Sequence, residues 1–290
     1  MVNNFTALIR TMRPKHWIKN FVVFAGLIFS ASFFDLAKGL TALVTFGLFC
    51  LAAGAVYIVN DISDREKDRA HPEKSGRPIA SGELGVLPAG VSACLFFAVS
   101  LSVGFYIHFH LGLILTVYFL VNLLYSFWLK DVIILDILVI SFGFVLRAIA
   151  GAIAIGVNIS PWLVVSTTFL ALFLALNKRQ AELAETTEGV TDQGETSDAY
   201  TATYLTQLIM VVTTATVISY SLYSFSSVHS DQMLWTTSFV LYGVFRYLYL
   251  IEVKGVSSGQ LSEVLLKDPP LIINIMLWAG AVVGIMVYFH

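Results

Sequence analysis

Apolar residues run along this chain in nine blocks of roughly 20, each closed by a short polar stretch. The blocks lie at about 17–34, 39–60, 88–108, 111–128, 132–156, 161–180, 203–226, 232–252 and 269–289. A helix of that length crosses the hydrocarbon core of a bilayer, whereas barrel strands would be about half as long and would alternate polar with apolar. Helices also satisfy their own backbone groups where no water is available. The pattern therefore predicts an all-α integral membrane protein of about nine transmembrane helices. Composition strengthens this: 57% of the 290 residues are hydrophobic, 12% are charged and the mean hydropathy is +0.80, which excludes an ordinary water-soluble domain. One transmembrane helical domain is expected over 1–290, with longer polar loops at about 61–87, 181–202 and 253–268.

Charge sets the orientation. Arg10, Arg13, Lys15 and Lys19 open the first block; Arg65, Lys67, Arg69, Lys74 and Arg77 follow the second; Lys130 follows the fourth; Lys178 and Arg179 close the sixth; Lys254 and Lys267 follow the eighth. With nine spans all fall on one side, and Lys38 is the sole loop cation on the other. Cationic loops stay in the cytoplasm, so the amino terminus and all three long loops are expected there, in an inner (cytoplasmic) membrane, with His290 outside. The net charge of -2 follows topology, and no nucleic-acid partner is expected. Cys50 and Cys94 fall inside spans, where a thiol acts as a small apolar group. A homo-oligomer is compatible with the sequence.

Candidate chemistry concentrates where the second block meets water. Asn60-Asp61-Ile62-Ser63-Asp64-Arg65-Glu66-Lys67-Asp68 places Asp61, Asp64 and Asp68 at spacings of three and four, on one helical face, with the Asn60 oxygen one step before. Mg²⁺ is commonly held by one or two carboxylates plus substrate phosphates, so this stripe points to a metal and a phosphorylated substrate. Arg69, His71, Lys74 and Arg77 follow at once and suit the phosphate oxygens a metal leaves uncovered. Arg13-Pro14-Lys15-His16-Trp17-Ile18-Lys19-Asn20 serves either as an interfacial anchor or as a phosphate contact. Tyr125 and Lys130 end the fourth block, Asp136 begins the fifth, and Lys178, Arg179 and Glu182 share one turn at the end of the sixth. Arg147 and Arg246 lie inside spans, where an ionisable group serves an ion pair or a polar cavity.

These residues together resemble the UbiA superfamily of intramembrane prenyltransferases. Asn60-Asp61-x-x-Asp64-x-x-x-Asp68 is similar to its first metal motif, and the resemblance covers nearly the whole chain. It implies a UbiA-type bundle around a cavity open to the cytoplasmic side. Members that use a prenyl diphosphate carry a second aspartate-rich motif after the sixth span, where this chain has Lys178, Arg179 and Glu182. The segment 13–20, Asp68-Arg69-Ala70-His71-Pro72, Arg77-Pro78-Ile79-Ala80-Ser81-Gly82, Tyr125 with Leu129-Lys130, and Leu266-Lys267-Asp268 resemble instead the decaprenyl-phosphate phosphoribosyltransferase branch. That resemblance implies Mg²⁺-dependent transfer of a 5-phosphoribosyl group from phosphoribosyl diphosphate to a polyprenyl phosphate. It assigns Asn60, Asp61, Asp64 and Asp68 to the metal, with the three aspartates catalytic. Lys15, Asn60, Arg69, Lys74, Arg77, Tyr125, Lys130, Lys178, Arg179 and Glu182 are assigned to substrates. Prenyl transfer to an aromatic or isoprenoid acceptor, and a carrier of cations or anionic lipids, are the alternatives.

Overall fold

The computed structural model describes residues 4–72, 74–187, 200–226, 230–253 and 268–288, and all regular structure among them is helical. After α1 (Asn4–Thr11) comes an unusual element, an eleven-residue 3₁₀ helix (Pro14–Phe24), continued by the short α2 (Ala25–Phe29). Then follow α3 (Leu36–Ser63), α4 (Arg65–Ala70), α5 (Val86–Ile107), α6 (Phe109–Phe127), α7 (Leu135–Ala154), α8 (Pro161–Thr187), α9 (Ala202–Ser226), α10 (Ser230–Met233), α11 (Thr237–Glu252) and α12 (Pro269–Tyr288). Eight helical stretches among the described residues are long and apolar enough to cross a membrane, α10 and α11 forming one of them.

The first predicted span, 17–34, is not among the eight. The chain there winds as a 3₁₀ helix, turns through Ser30 and Ala31, and never forms one long α-helix. The 3₁₀ rise is steeper, so Pro14–Phe29 still extends about 30 Å. What draws it in is the small-residue face of α7. A Cβ on Gly151 would overlap the carbonyl oxygen of Val23, and one on Gly26 would come within 2.8 Å of the Ala152 backbone.

α3 and α7 form the centre, with 61% of their apolar windows buried, against 17% for α5 and 22% for α6 and α12, whose outer faces are left to lipid. Phe49, Ala52, Leu111, Leu115, Tyr118, Leu146 and Ala150 pack α3, α6 and α7 around Val23. A second cluster, built on Phe173, Leu176, Leu205, Tyr247 and Leu271, joins α8, α9, α11 and α12.

One end of the bundle is tied by polar bonds between elements that the chain reaches at very different times. Arg10 meets Glu83 at 3.0 Å, Gln180 donates to Glu252 at 3.0 Å, and Arg246 donates to both oxygens of Asp268 at 3.0 and 2.8 Å. Asp268 also caps α12, accepting from the Leu271 N–H at 3.0 Å. Arg246 is thus an ion-pair residue. Arg147 has no ion pair among the described residues: deep in α7 it donates to Asn20 Oδ1, the Gly143 carbonyl and Tyr118 Oη, each at 2.7 Å, and it stacks over the Tyr118 ring. Of the predicted loop at about 181–202, α8 takes up the residues to Thr187, while 188–199 lie outside the described residues, as do Lys254, Leu266, Lys267 and His290.

Candidate functional site

The acidic stripe survives folding, but its members part company. α3 ends at Ser63 and α4 begins at Arg65, while the Asp64 and Asp68 N–H groups keep helical bonds to Asn60 and Asp64 carbonyls at 2.8 Å. Asp61 is buried. Its Oδ1 accepts from Arg13 Nη2 at 2.6 Å and from Arg77 Nη1 at 3.3 Å. Arg77 Nη1 also reaches Asp68 Oδ2 at 2.7 Å, so one guanidinium bridges the first and third carboxylates. Asp64, half-buried, makes no side-chain hydrogen bond or ion pair among the described residues, and Asn60 Oδ1 is buried without a partner among them.

A cavity of about 690 Å³ opens beside the stripe. Asp64, Lys67, Asp68 and Lys74 form one wall; Tyr125, Lys130 and Asp131 another; Asp136, Ile137 and Ile140 of α7 with Ala175, Lys178, Arg179 and Glu182 of α8 the third. On that third wall Arg179 donates to Asp136 Oδ2 at 3.0 Å and to Glu182 Oε2 at 3.3 Å, and Lys178 pairs with Glu182 Oε1 at 3.0 Å. Tyr200 donates to Asp136 Oδ1 at 2.9 Å and accepts from the Ile134 N–H at 2.7 Å. Burial foremost, aided by the Asp136 charge, pushes the Tyr200 phenol up to about 12, so it remains a donor.

Of the residues singled out from sequence, Asp64, Asp68, Lys74, Tyr125, Lys130, Lys178, Arg179 and Glu182 share this cavity. Asp61, Asn60 and Arg77 stand behind its acidic wall. Arg69 turns away, donating through Nε to the Ala80 carbonyl at 2.9 Å and pairing with Glu66 at 3.2 Å, so it pins the turn after α4. Lys15 is exposed and does not line the cavity. Lys67 and Asp131 line the cavity and Tyr200 supports it, although sequence reasoning proposed none of them. The first two adjoin proposed residues, but nothing near Tyr200 marks it. His16 Nδ1 lies 3.3 Å from Tyr57 Oη, and burial, with the charges of Lys19 and Arg13, lowers its pKa to about 4. It is neutral near pH 7.

Fold and site define a multi-pass helical membrane protein with a charged cavity at one end. The model of the UbiA prenyltransferase family matches residues 20–258. The chain is 32% identical to the decaprenyl-phosphate phosphoribosyltransferase of Mycolicibacterium smegmatis, covering 99% of this chain and 94% of that protein. It is 34% identical to the protein of the same name from Corynebacterium glutamicum, covering 95% and 85%. Among solved structures it is similar to a UbiA homolog from Archaeoglobus fulgidus bound to GPP and Mg²⁺, with a TM-score of 0.73 and 17% identity over 97% of this chain and 99% of that one. The chain belongs to the UbiA prenyltransferase family.

Proposed function

We propose that this protein transfers a 5-phosphoribosyl group from phosphoribosyl diphosphate to a decaprenyl-type polyprenyl phosphate, releasing diphosphate, at the cytoplasmic face of the inner membrane. The observation that carries the proposal is the near full-length similarity to two proteins named for that reaction. The cavity chemistry supports it: the carboxylates Asp64 and Asp68 share one hollow with the cations Lys74, Lys130, Lys178 and Arg179.

The residues suit a divalent cation that arrives with its substrate. Asp64 has an uncommitted carboxylate, Asp68 gives only one oxygen to Arg77, and no three acidic, histidine or cysteine side chains among the described residues could hold an ion by themselves. Mg²⁺ needs few protein ligands when phosphates complete its shell. When bound by Asp64 and Asp68, with Asn60 adjacent, it would supply Lewis-acid stabilisation of the departing diphosphate. Lys74 and Lys67, which line the same hollow, hold the remaining diphosphate oxygens. The bond from the anomeric carbon to diphosphate oxygen breaks with its electron pair leaving on the diphosphate. A lipid-phosphate oxygen forms the new bond to that carbon from its own lone pair. That oxygen is anionic at neutral pH, so no general base is required. Lys130, Lys178 and Arg179 orient the acceptor, and Ile137, Ile140 and Ala175 offer its first isoprene units an apolar surface.

The purified protein, given radiolabelled phosphoribosyl diphosphate, Mg²⁺ and polyprenyl phosphate, is expected to move label into the lipid phase. Consumption of a prenyl diphosphate instead would sink the assignment. Asp64→Asn should cut turnover by about 100-fold or more, with unfolding unchanged. Asp61→Asn should cost stability as well, about 3 kcal/mol, because Arg13 and Arg77 lose a buried counter-charge.

A further inference from the structure

The two guanidiniums that meet the acidic stripe are held differently. Arg13 reaches Asp61 Oδ1 at 2.6 Å and lies 4.9 Å above the centre of the Tyr57 ring, so a carboxylate and an aromatic face both fix it. Arg77 has the carboxylates but no ring contact among the described residues. A single nitrogen, Nη1, serves both of them, 3.3 Å from Asp61 Oδ1 and 2.7 Å from Asp68 Oδ2. Its side chain is 28% exposed, whereas those of Asp61 and Asp68 are 3% and 5% exposed. The carboxylates are the fixed part and the guanidinium is the part that water reaches. Beside them, Asn60 Oδ1 and the Asp64 carboxylate have no hydrogen-bond partner among the described residues, so this face holds more acceptors than Arg77 serves.

If Arg77 swung away, Asp61 would keep Arg13, and only Asp68 would need a new cation. The guanidinium would not travel far. Its own N–H bonds the Lys74 carbonyl at 3.0 Å, and Lys74 lines the cavity, so both cations belong to one turn. The Ser81 N–H bonds the Arg77 carbonyl at 2.9 Å, and the Leu84 N–H bonds the Pro78 carbonyl at 2.8 Å. The backbone is held, and the movement is confined to the side chain. We propose that Arg77 is an exchangeable counter-ion: it competes with a divalent cation for Asp68, and diphosphate relieves the competition by accepting the guanidinium beside Lys74. A metal ion alone would leave two cations crowding one carboxylate, or strand the guanidinium without its partner. Diphosphate offers that guanidinium a charge-assisted bond of equal kind. This rests on the proposed function for the metal and the leaving group, but its test requires no turnover.

Full-length protein in detergent is titrated by calorimetry with Mg²⁺, with inorganic diphosphate, and with each in the presence of the other. Arg77→Gln is expected to bind Mg²⁺ alone about tenfold or more tighter than the natural protein, and diphosphate should improve that affinity by no more than about threefold. Arg77→Lys should stay within about threefold of the natural protein for Mg²⁺ alone, because one nitrogen makes both contacts and an ammonium can replace it. Asp68→Asn gives the mirror result: with its guanidinium released, diphosphate alone should bind about tenfold tighter. Asp64→Asn removes the same charge from the same cavity without touching Arg77, and its gain should be within about threefold. Unfolding supplies a second readout. Arg77→Gln should unfold at a lower temperature than the natural protein and recover part of the loss when Mg²⁺ is added; a merely structural ion pair would show the loss without the recovery. Unchanged or weaker Mg²⁺ binding in Arg77→Gln, or equal gains for diphosphate in Asp64→Asn and Asp68→Asn, overturns the inference. Arg77-dependent exchange in a protein that moves no phosphoribosyl label would overturn the proposed function and leave this inference standing.

Discussion

Tyr200 uses one oxygen for two purposes, accepting from the Ile134 N–H at 2.7 Å and donating to Asp136 at 2.9 Å. Ile134 needs the help. Its φ is +73°, a region β-branched residues avoid at a cost of about 1–3 kcal/mol. It stands at the junction between the Lys130 turn and α7, so the phenol fixes the Lys130 side of the cavity relative to Asp136 and Arg179. Tyr200→Phe removes both bonds and should cost about 1–3 kcal/mol in detergent unfolding, with KM for the lipid acceptor rising more than kcat falls. Placing Ile134→Gly in the same chain should recover about 1 kcal/mol of the loss, because glycine tolerates positive φ. If the two substitutions were simply additive, Tyr200 would not be what restrains Ile134.

At the scale of elements, the stretch Pro14–Phe29 depends on backbone proximity more than on side chains. Gly151 faces Val23 backbone, which cannot move aside as a flexible side chain could. Gly151→Ala should destabilise the protein by about 1–3 kcal/mol, whereas Gly280→Ala, with open space around it, should be near neutral in the same unfolding measurement. This element also marks where sequence ceases to be informative. Apolar run length recovers the other spans to within a few residues at most ends, 39–60 against Leu36–Ser63 and 88–108 against Val86–Ile107. It carries no information about helical pitch, so a 3₁₀ helix and an α-helix of equal apolarity read alike. The site divides in the same way. Asp61, Asp64 and Asp68 are visible because their relation is local. The burial of Asp61 by Arg13, 48 residues away, and the Tyr200 contact to Asp136, 64 residues away, exist only once the chain has folded.

For the whole molecule the decisive quantity is the charge of the cavity. Asp64, Asp68, Asp131, Asp136 and Glu182 oppose Lys67, Lys74, Lys130, Lys178 and Arg179, five against five, so the lining is formally neutral. Two phosphorylated substrates entering a neutral hollow at the edge of a low-dielectric bundle would repel one another strongly. The protein adds little net positive charge of its own there, so the balance must come with the donor. That reasoning makes metal and diphosphate binding mutually dependent. Calorimetry should find weak Mg²⁺ binding to the protein alone, in the millimolar range, and at least about tenfold tighter binding when diphosphate is present, with the reciprocal gain for diphosphate required by linkage. EDTA should abolish transfer yet leave the unfolding temperature unchanged, because the ion is not what holds the helices together. Tight Mg²⁺ binding without diphosphate, or unfolding on chelation, would mean that the carboxylates form a resident metal centre, contrary to the bridging of Asp61 and Asp68 by Arg77.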